Sequence, residues 1–323
     1  MPRTAQPIHP SQAGADKGGG GWIKALVVLL VIGGLIAGGA IWALNKLGDL
    51  SIFQTSGCTA TSSTGTMSLD LEQAKDAATI AAVGQSLNMP TFGIEVAEAT
   101  ARQESKLHNL NYGDRDSVGL FQQRPSQGWG TTAQIMDPVY SSTKFYQALA
   151  RVSGWKQMTL TQAAQAVQQS GTPNAYAQWE QLATVITAVF TGAADSGLGC
   201  ALDGPTFTAQ SKGSALLTAR GQSVLDNLRA QYGSANVGKI SSIASDGLSF
   251  NVAVPSSLTG AAATTREWAF ANWSAAQAET LGIGQVSFGG KSWSASDGGA
   301  GWKSDSAATA NSSSMHIVMV TGS

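Results

Sequence analysis

The chain has 323 residues, of which 43% are hydrophobic and 12% are charged, and its formal net charge is −1. This length is sufficient for two domains with substantial cores. The balanced charge gives no electrostatic basis for binding nucleic acid. The histidines His9, His108 and His316 are far apart in the sequence, which argues against a zinc site built on several histidine ligands. We therefore expect no nucleic-acid partner, no metal and no cofactor.

The first 44 residues predict a tail followed by a membrane anchor. Residues 1–24 are mostly polar and rich in Gly and Pro, as in disordered tails. Residues 25–44 carry no charge, and at about 1.5 Å per residue they could span a hydrocarbon core of about 30 Å. A cleaved signal peptide is the alternative, but the run is long for one and lacks a clear small-residue cleavage site. Basic residues are in slight excess before the run, which predicts a single-pass cell-membrane protein with a cytoplasmic N-terminus and an extracytoplasmic bulk.

The two cysteines predict a disulfide. Residues 45–67 form a spacer rich in Ser, Thr and Gly that contains Cys58, and the other cysteine, Cys200, closes the predicted domain 68–200. An exported chain lies in an oxidising space, so a Cys58–Cys200 disulfide would tie the ends of that domain together. Two free buried thiols are the alternative.

Between the cysteines the hydrophobic pattern is helical. Residues 110–130 are rich in Gly, Asp, Asn and Gln, which is typical of a hairpin or an ordered loop. Four further segments, besides the helix that leads to Glu104, carry apolar residues at helical spacing: Leu69–Leu87, Pro138–Leu149, Thr161–Gln169 and Tyr176–Thr191. The pattern predicts a small, mostly α domain with a short β hairpin.

Glu104 is the candidate catalytic residue. It comes at the C-terminal end of an apolar helix that starts after Pro90, where the helix dipole disfavours negative charge. A carboxyl group that is partly desolvated at such a place can keep its proton near neutral pH and act as a general acid. A solvated glutamate at a helix end is the structural alternative.

The residues after Glu104 form a motif. Glu104-Ser105 is followed by Ser117-Val118-Gly119-Leu120-Phe121-Gln122 and then Pro125. This resembles the signature of lytic transglycosylases and goose-type lysozymes, with Phe121 where that pattern usually has Met. The longer run GDRDSVGLFQQRPSQGWGT looks like a secreted actinobacterial subgroup. The resemblance implies a lysozyme-like fold, a single catalytic acid/base at Glu104, and cleavage of the MurNAc–GlcNAc bond of peptidoglycan.

A glycan groove should combine amides with aromatic rings. The resemblance and the composition together give these candidate substrate-binding residues: Gln103, Ser117, Gly119, Leu120, Gln122, Gln123, Trp129, Tyr146 and Tyr176. Tyr146 and Tyr176 would equally suit the core. The family often carries an Ala-Tyr-Asn-Ala-Gly-like motif after the hairpin, and the corresponding segment here, 166–171, lacks the Tyr-Asn pair.

The number of carboxylates decides the mechanism. Glycoside hydrolysis usually needs two, whereas by the family's chemistry one Glu suffices when the C6 hydroxyl of N-acetylmuramic acid attacks and an anhydro product forms. Asp114 and Asp116 are the nearby candidates for a second carboxylate. Both flank Arg115 in a turn, where Asp commonly bonds backbone amides, so a structural role and a water-positioning role remain open.

After a linker at 201–213, residues 214–323 predict a small α+β domain. Its order of helix, strand, helix and strands faintly resembles zinc D-Ala-D-Ala carboxypeptidases. Asn251 stands where that family has Asp, and His316 is alone in the last strand, whereas a catalytic zinc needs three protein ligands. The resemblance therefore implies a non-catalytic derivative.

The sequence as a whole predicts an α+β protein with a single N-terminal transmembrane helix, a lysozyme-like domain and a second, non-catalytic domain. Its predicted function is that of a peptidoglycan lytic transglycosylase or muramidase-like enzyme whose partners are glycan strands and the membrane. The alternative is a non-enzymatic cell-wall-binding or scaffold protein that retains the fold. The sequence gives no indication of the oligomeric state.

Overall fold

The computed structural model describes residues 56–172, 174–204, 207–308 and 314–322. All of them belong to one unit that runs from Thr55 to Ser323. The predicted tail at 1–24, the predicted span at 25–44 and the first part of the linker lie outside the described residues.

The predicted fold class needs a correction. The described residues form an α+β structure with two antiparallel sheets. Within this part of the chain, none of the helices combines the length and the apolar character that crossing a bilayer requires. The fold class with a membrane-spanning helix is therefore wrong for the structure as described. Its physical basis was the uncharged run at 25–44, which is not among these residues.

The first sheet joins the two ends of the region between the cysteines. Strand β1 (Gly57–Ser62) forms a hairpin with β2 (Gly65–Leu69), and β3 (Leu198–Ala201) adds to the other edge of β1. Cys58 and Cys200 are register partners across β1 and β3 and form a disulfide. The predicted disulfide is confirmed.

Helices fill the space between β2 and β3. Their bounds are α1 (Leu71–Ser86), α2 (Thr91–Ser105), α3 (Thr132–Ile135), α4 (Pro138–Arg151), α5 (Leu160–Gln168) and α6 (Glu180–Phe190). Asp70 caps α1 in a reciprocal capping box with Gln73, which satisfies two otherwise unpaired N–H groups. Alanines occupy many of the buried positions of α1 and α2, so these helices can pack closely. The segment 110–130, predicted as a hairpin or an ordered loop, is a loop with a bridge between Val118 and Gln123 and a 3-10 turn at Pro125–Gln127.

The C-terminal region is built on the second sheet, whose strand order is β4-β5-β9-β6-β7-β8. Its elements are α7 (Ala219–Tyr232), β4 (Ile240–Ser241), β5 (Ser249–Val252), α8 (Gly260–Ala276), α9 (Ala278–Leu281), β6 (Ile283–Phe288), β7 (Lys291–Ser294), β8 (Lys303–Ser304) and β9 (Met315–Met319). Alternate residues of the central strands are fully buried, among them Phe250, Val286, Trp293 and Ile317. These side chains share one face of the sheet because successive residues of a strand point to opposite faces.

The two regions share one core. Helix α8 packs against α1 and α6 as well as against β6. The buried Asn272 on α8 donates hydrogen bonds to the backbone oxygens of Val189 and Ala194, and Gln277 contacts Thr79 on α1. The C-terminal region therefore covers one side of α1 and α6, the helices that pack against α2, which carries Glu104.

Candidate active site

Helix α2 delivers Glu104 to the edge of a groove. Pro90 is the N-cap residue of the helix, and its ring restricts the backbone at that point. The helix ends in two consecutive left-handed residues, Lys106 and Leu107, at φ 59° and 63°. Leu107 is fully buried, and its burial offsets the cost of a left-handed non-glycine backbone. The chain therefore turns sharply one residue after Ser105 and leaves Glu104, half-buried, in the last turn.

Ser105 fastens the helix to the loop that carries the rest of the motif. Its Oγ lies 3.0 Å from the carbonyl oxygen of Ala101 and 2.8 Å from that of Leu120, and both contacts are buried. Leu120 itself is fully buried. At Gly119, with φ +80°, a Cβ would lie 2.8 Å from the backbone oxygen of Ile135. Only glycine fits that left-handed, crowded position, so the Ser-x-Gly-Leu spacing has a structural cause.

The groove itself has a volume of about 890 Å³. Its lining residues are mostly polar: Glu104, Asp114, Arg115, Ser117, Gln122, Gln123, Arg124, Gln127, Trp129, Val167, Gln168, Gln169, Ser170 and Gly171. One part comes from the loop after α2 and the other from the end of α5. Gln168 donates a 2.9 Å hydrogen bond to the backbone oxygen of Phe121, which holds these two parts together.

Glu104 has one direct side-chain partner that the sequence motif does not contain. The hydroxyl of Tyr176 donates a 2.7 Å hydrogen bond to Glu104 Oε1. Tyr176 is fully buried, and burial, followed by the Glu104 charge, raises the pKa of its phenol far above the ordinary value. The phenol therefore stays protonated and acts as a donor. Tyr176 therefore places a tyrosine next to Glu104, although the segment 166–171 lacks the tyrosine of the family motif.

Gln103, the residue before Glu104, is held by the side chains of Gln178 and Trp179. Gln103 Oε1 accepts a 2.7 Å hydrogen bond from Trp179 Nε1 and a 3.2 Å bond from Gln178. The guanidinium of Arg102 lies 5.0 Å from the centre of the Trp179 ring. These contacts anchor the last turn of α2 to the segment after Tyr176, so Glu104 and Tyr176 are held on one rigid frame.

The two candidate second carboxylates differ in environment. Asp116 accepts hydrogen bonds from Arg124 Nε at 2.7 Å and from the Ser126 backbone nitrogen at 2.8 Å. These bonds hold the pKa of Asp116 well below its ordinary value. Both oxygens of Asp116 are thus engaged in bracing the loop. The side chain of Asp114 is 92% exposed and lines the groove together with Glu104.

The remaining candidates from the sequence fall into four places. Ser117, Gln122, Gln123 and Trp129 line the groove with Glu104. Gly119 and Leu120 lie behind its wall, and Gln103 lies beside the helix end. Tyr146 lies in the core, where its hydroxyl donates to the backbone oxygen of Ile80, and it is not among the lining residues.

The sequence-based candidates did not include the arginines of the groove or the residues at the end of α5. Arg115 and Arg124 line the groove. Arg115 lies in the charged stretch between Gly113 and Gly119, which could have indicated its position, and Arg124 follows the Ser-x-Gly-Leu-x-Gln motif by two residues. Gln168, Gln169 and Ser170 come from the segment that departs from the family pattern. They meet the groove only through the packing of α5, which the sequence pattern does not reveal.

The part of the chain that the structure describes contains no assembled set of metal ligands. No group of three or more His, Cys, Asp or Glu side chains there could hold a metal ion. His316 Nδ1 lies 2.6 Å from the side-chain oxygen of Asn251, and burial lowers the pKa of this imidazole.

Comparison with protein-family models gives no match for this sequence, and the curated proteins also contain no match.

Proposed function

We propose that the protein is a peptidoglycan lytic transglycosylase that uses Glu104 as its single acid/base. The observation that carries the proposal is the position of Glu104, which lines a polar groove and accepts a 2.7 Å hydrogen bond from the buried Tyr176. The resemblance of the Glu-Ser and Ser-x-Gly-Leu-x-Gln motifs to that family supports it. The buried contacts of Ser105 and Gly119 support it too, because they explain why the loop beside Glu104 needs these motif residues.

The hydrogen bond from Tyr176 selects the oxygen that does the chemistry. A donor directed at Glu104 Oε1 makes that oxygen an acceptor. In the acid form the proton then resides on Oε2, from which it is delivered. Tyr176 also fixes the rotation of the carboxyl group, so the acid is oriented before substrate binds.

The reaction needs no second carboxylate. Glu104 gives its proton to the glycosidic oxygen as the bond between that oxygen and C1 breaks. The C6 hydroxyl of the same N-acetylmuramic acid residue then attacks C1, and its proton passes to Glu104, which restores the acid. Asp116 supports this route because both of its oxygens are already engaged. Asp114 is the remaining groove carboxylate, and a water positioned by it would give hydrolysis instead.

The groove chemistry suits a glycan with acetamido groups. Amide side chains such as Gln122, Gln168 and Gln169 can both donate to and accept from sugar substituents. The Trp129 ring provides an apolar face on which a sugar can stack, and Tyr140 holds its backbone through a 3.2 Å hydrogen bond. The Cys58–Cys200 disulfide favours an oxidising location outside the cytoplasm, which is where peptidoglycan lies.

Mass spectrometry of the products of peptidoglycan digestion tests the proposal. We expect 1,6-anhydro-muramyl ends. Reducing ends would instead indicate hydrolysis, with Asp114 as the second carboxylate, and would contradict the transglycosylase proposal. Binding to the wall without any product would favour the non-enzymatic cell-wall-binding alternative.

A further inference from the structure

The groove contains two cationic side chains that general-acid chemistry at Glu104 does not require. Arg115 and Arg124 both line it, on the loop that carries the Ser-x-Gly-Leu-x-Gln motif. A neutral glycan made only of N-acetylglucosamine offers no partner for a guanidinium charge. N-acetylmuramic acid differs because its C3 substituent carries a carboxylate, either as the free lactyl group or as the attached acidic peptide.

Arg124 is held in a fixed orientation. Its Nε donates to Asp116 Oδ1 at 2.7 Å, and its Nη2 donates to Ser126 Oγ at 3.3 Å. The side chain is only 22% exposed. A guanidinium has five N–H donors, so these two bonds leave donors for a ligand, and the fixed plane lowers the entropy lost on binding.

Arg115 lies at the exposed rim of the groove. Its side chain is 70% exposed, and its Nε lies 3.9 Å from Asp114 Oδ2, too far for a hydrogen bond. Its backbone is left-handed, at φ 57°. The turn is closed by a hydrogen bond from the backbone nitrogen of Ser117 to the backbone oxygen of Asp114. The weak contact with Asp114 leaves the Arg115 charge without a close partner in the turn.

We propose that Arg115 and Arg124 bind the carboxylate on the C3 substituent of N-acetylmuramic acid, and that they make the groove selective for acidic glycans over neutral chitin-type ones. The inference rests on the proposed function for its substrate class. Arg124 provides the oriented donor, and Arg115 closes on the same group from the rim. Arginine is suited to this task because its planar fork matches the geometry of a carboxylate.

Binding of three tetrasaccharides to the full chain tests the inference. All proteins carry Glu104→Gln so that the ligands stay intact. The ligands are chitotetraose, an alternating GlcNAc–MurNAc tetrasaccharide with free lactyl groups, and the same tetrasaccharide with its peptides. Isothermal titration calorimetry is run with and without Arg115→Gln. Arg151→Gln, which removes an exposed arginine at the end of α4, is the matched control.

We expect the acidic tetrasaccharides to bind more tightly than chitotetraose, and Arg115→Gln to weaken only the acidic ones by about fivefold, the upper range for an exposed ion pair. Arg115→Lys should restore part of the loss, and Arg151→Gln should change nothing. A preference for the free lactyl ligand assigns the lactyl carboxylate, and a preference that requires the peptides assigns the peptide carboxylates.

Equal affinities for all three ligands, or an acidic preference that survives Arg115→Gln, would overturn the inference. Arg124→Lys, which keeps the charge but loses the planar fork and the Nε bond to Asp116, should weaken the acidic ligands more than it weakens chitotetraose. Cleavage is measured separately with the unmodified protein. Selective binding without cleavage would refute the proposed function and leave the inference standing, whereas cleavage without selectivity would do the reverse.

Discussion

Within the described part of the chain, two buried carboxyl groups lack hydrogen-bond partners, and they predict how stability depends on pH. Asp76 on α1 and Glu98 on α2 are both fully buried, and none of their four carboxyl oxygens has a hydrogen-bond partner among the described residues. Lys75 Nζ lies 3.6 Å from Asp76 Oδ1. Burial raises the pKa of Asp76 to about 7, partly opposed by Lys75. Burial also raises the pKa of Glu98 well above its ordinary value, with a further contribution from Asp76.

The magnitude follows from the pKa of Asp76. Its ordinary value is 3.8 and its value in the folded protein is about 7. One pKa unit corresponds to about 1.4 kcal/mol, so ionisation of Asp76 is about 4 kcal/mol less favourable in the folded state, as an order of magnitude. Because the pKa of Asp76 is raised in the folded state, the protonated group contributes this free energy to stability, and the contribution is fully present below pH 3.8. It is lost progressively as the unfolded chain ionises, until the pH passes about 7.

Asp76→Asn removes this titration. We expect the free energy of unfolding of the unaltered protein to fall between pH 4 and pH 7 by up to about 4 kcal/mol more than that of the variant. Urea unfolding followed by tryptophan fluorescence at a series of pH values measures the difference. Asp226→Asn, at an exposed position on α7, is the control and should keep the slope of the unaltered protein. Identical pH profiles for Asp76→Asn and the unaltered protein would refute the reasoning.

Three further predictions concern the disulfide and the groove. Cys58→Ser should lower the free energy of unfolding by about 2–5 kcal/mol, because the disulfide joins residues 142 positions apart. Calorimetry measures the melting temperature, and an unchanged value would contradict this prediction. Tyr176→Phe should reduce kcat about 10- to 100-fold with little change in KM, since it removes a hydrogen bond to Glu104, and unchanged kcat in a peptidoglycan turbidity assay would argue against that role. Asp116→Asn should lower the melting temperature more than Asp114→Asn does, because Asp116 braces the loop; the opposite order in thermal melts would contradict the bracing role.

The position of the candidate site could be predicted because its motif is local. Glu104 and Ser105 share a helix turn, and Ser117 and Gln122 lie on one short loop. Tyr176 was a candidate for substrate contact or for the core, and its hydrogen bond to Glu104 could not be anticipated because 72 residues separate the two in sequence. Side-chain contacts over such distances depend on helix packing, which local periodicity does not specify.

The burial of Asp76 and Glu98 could not be predicted from the local sequence pattern either. Charged residues on a helix normally indicate its solvated face. Helix α1 instead has neighbours on several sides, since α2, α4 and α8 all pack against it, and Asp76 is enclosed. The strand order of the second sheet was also unpredictable, because β9 inserts between β5 and β6 although it comes last in the chain.

The proposed role of Glu104 as the acid/base is tested most directly by comparing Glu104→Gln with the unaltered protein in peptidoglycan cleavage, with product ends read by mass spectrometry. Glutamine keeps the size of the side chain and can still accept the bond from Tyr176, but it has no proton to deliver. We expect the melting temperature to stay close to that of the unaltered protein and the cleavage rate to fall by about 10²–10⁴-fold. Glu180→Gln, at an exposed helix start, should cleave normally. Equal cleavage by Glu104→Gln and the unaltered protein would show that Glu104 is not the catalytic acid.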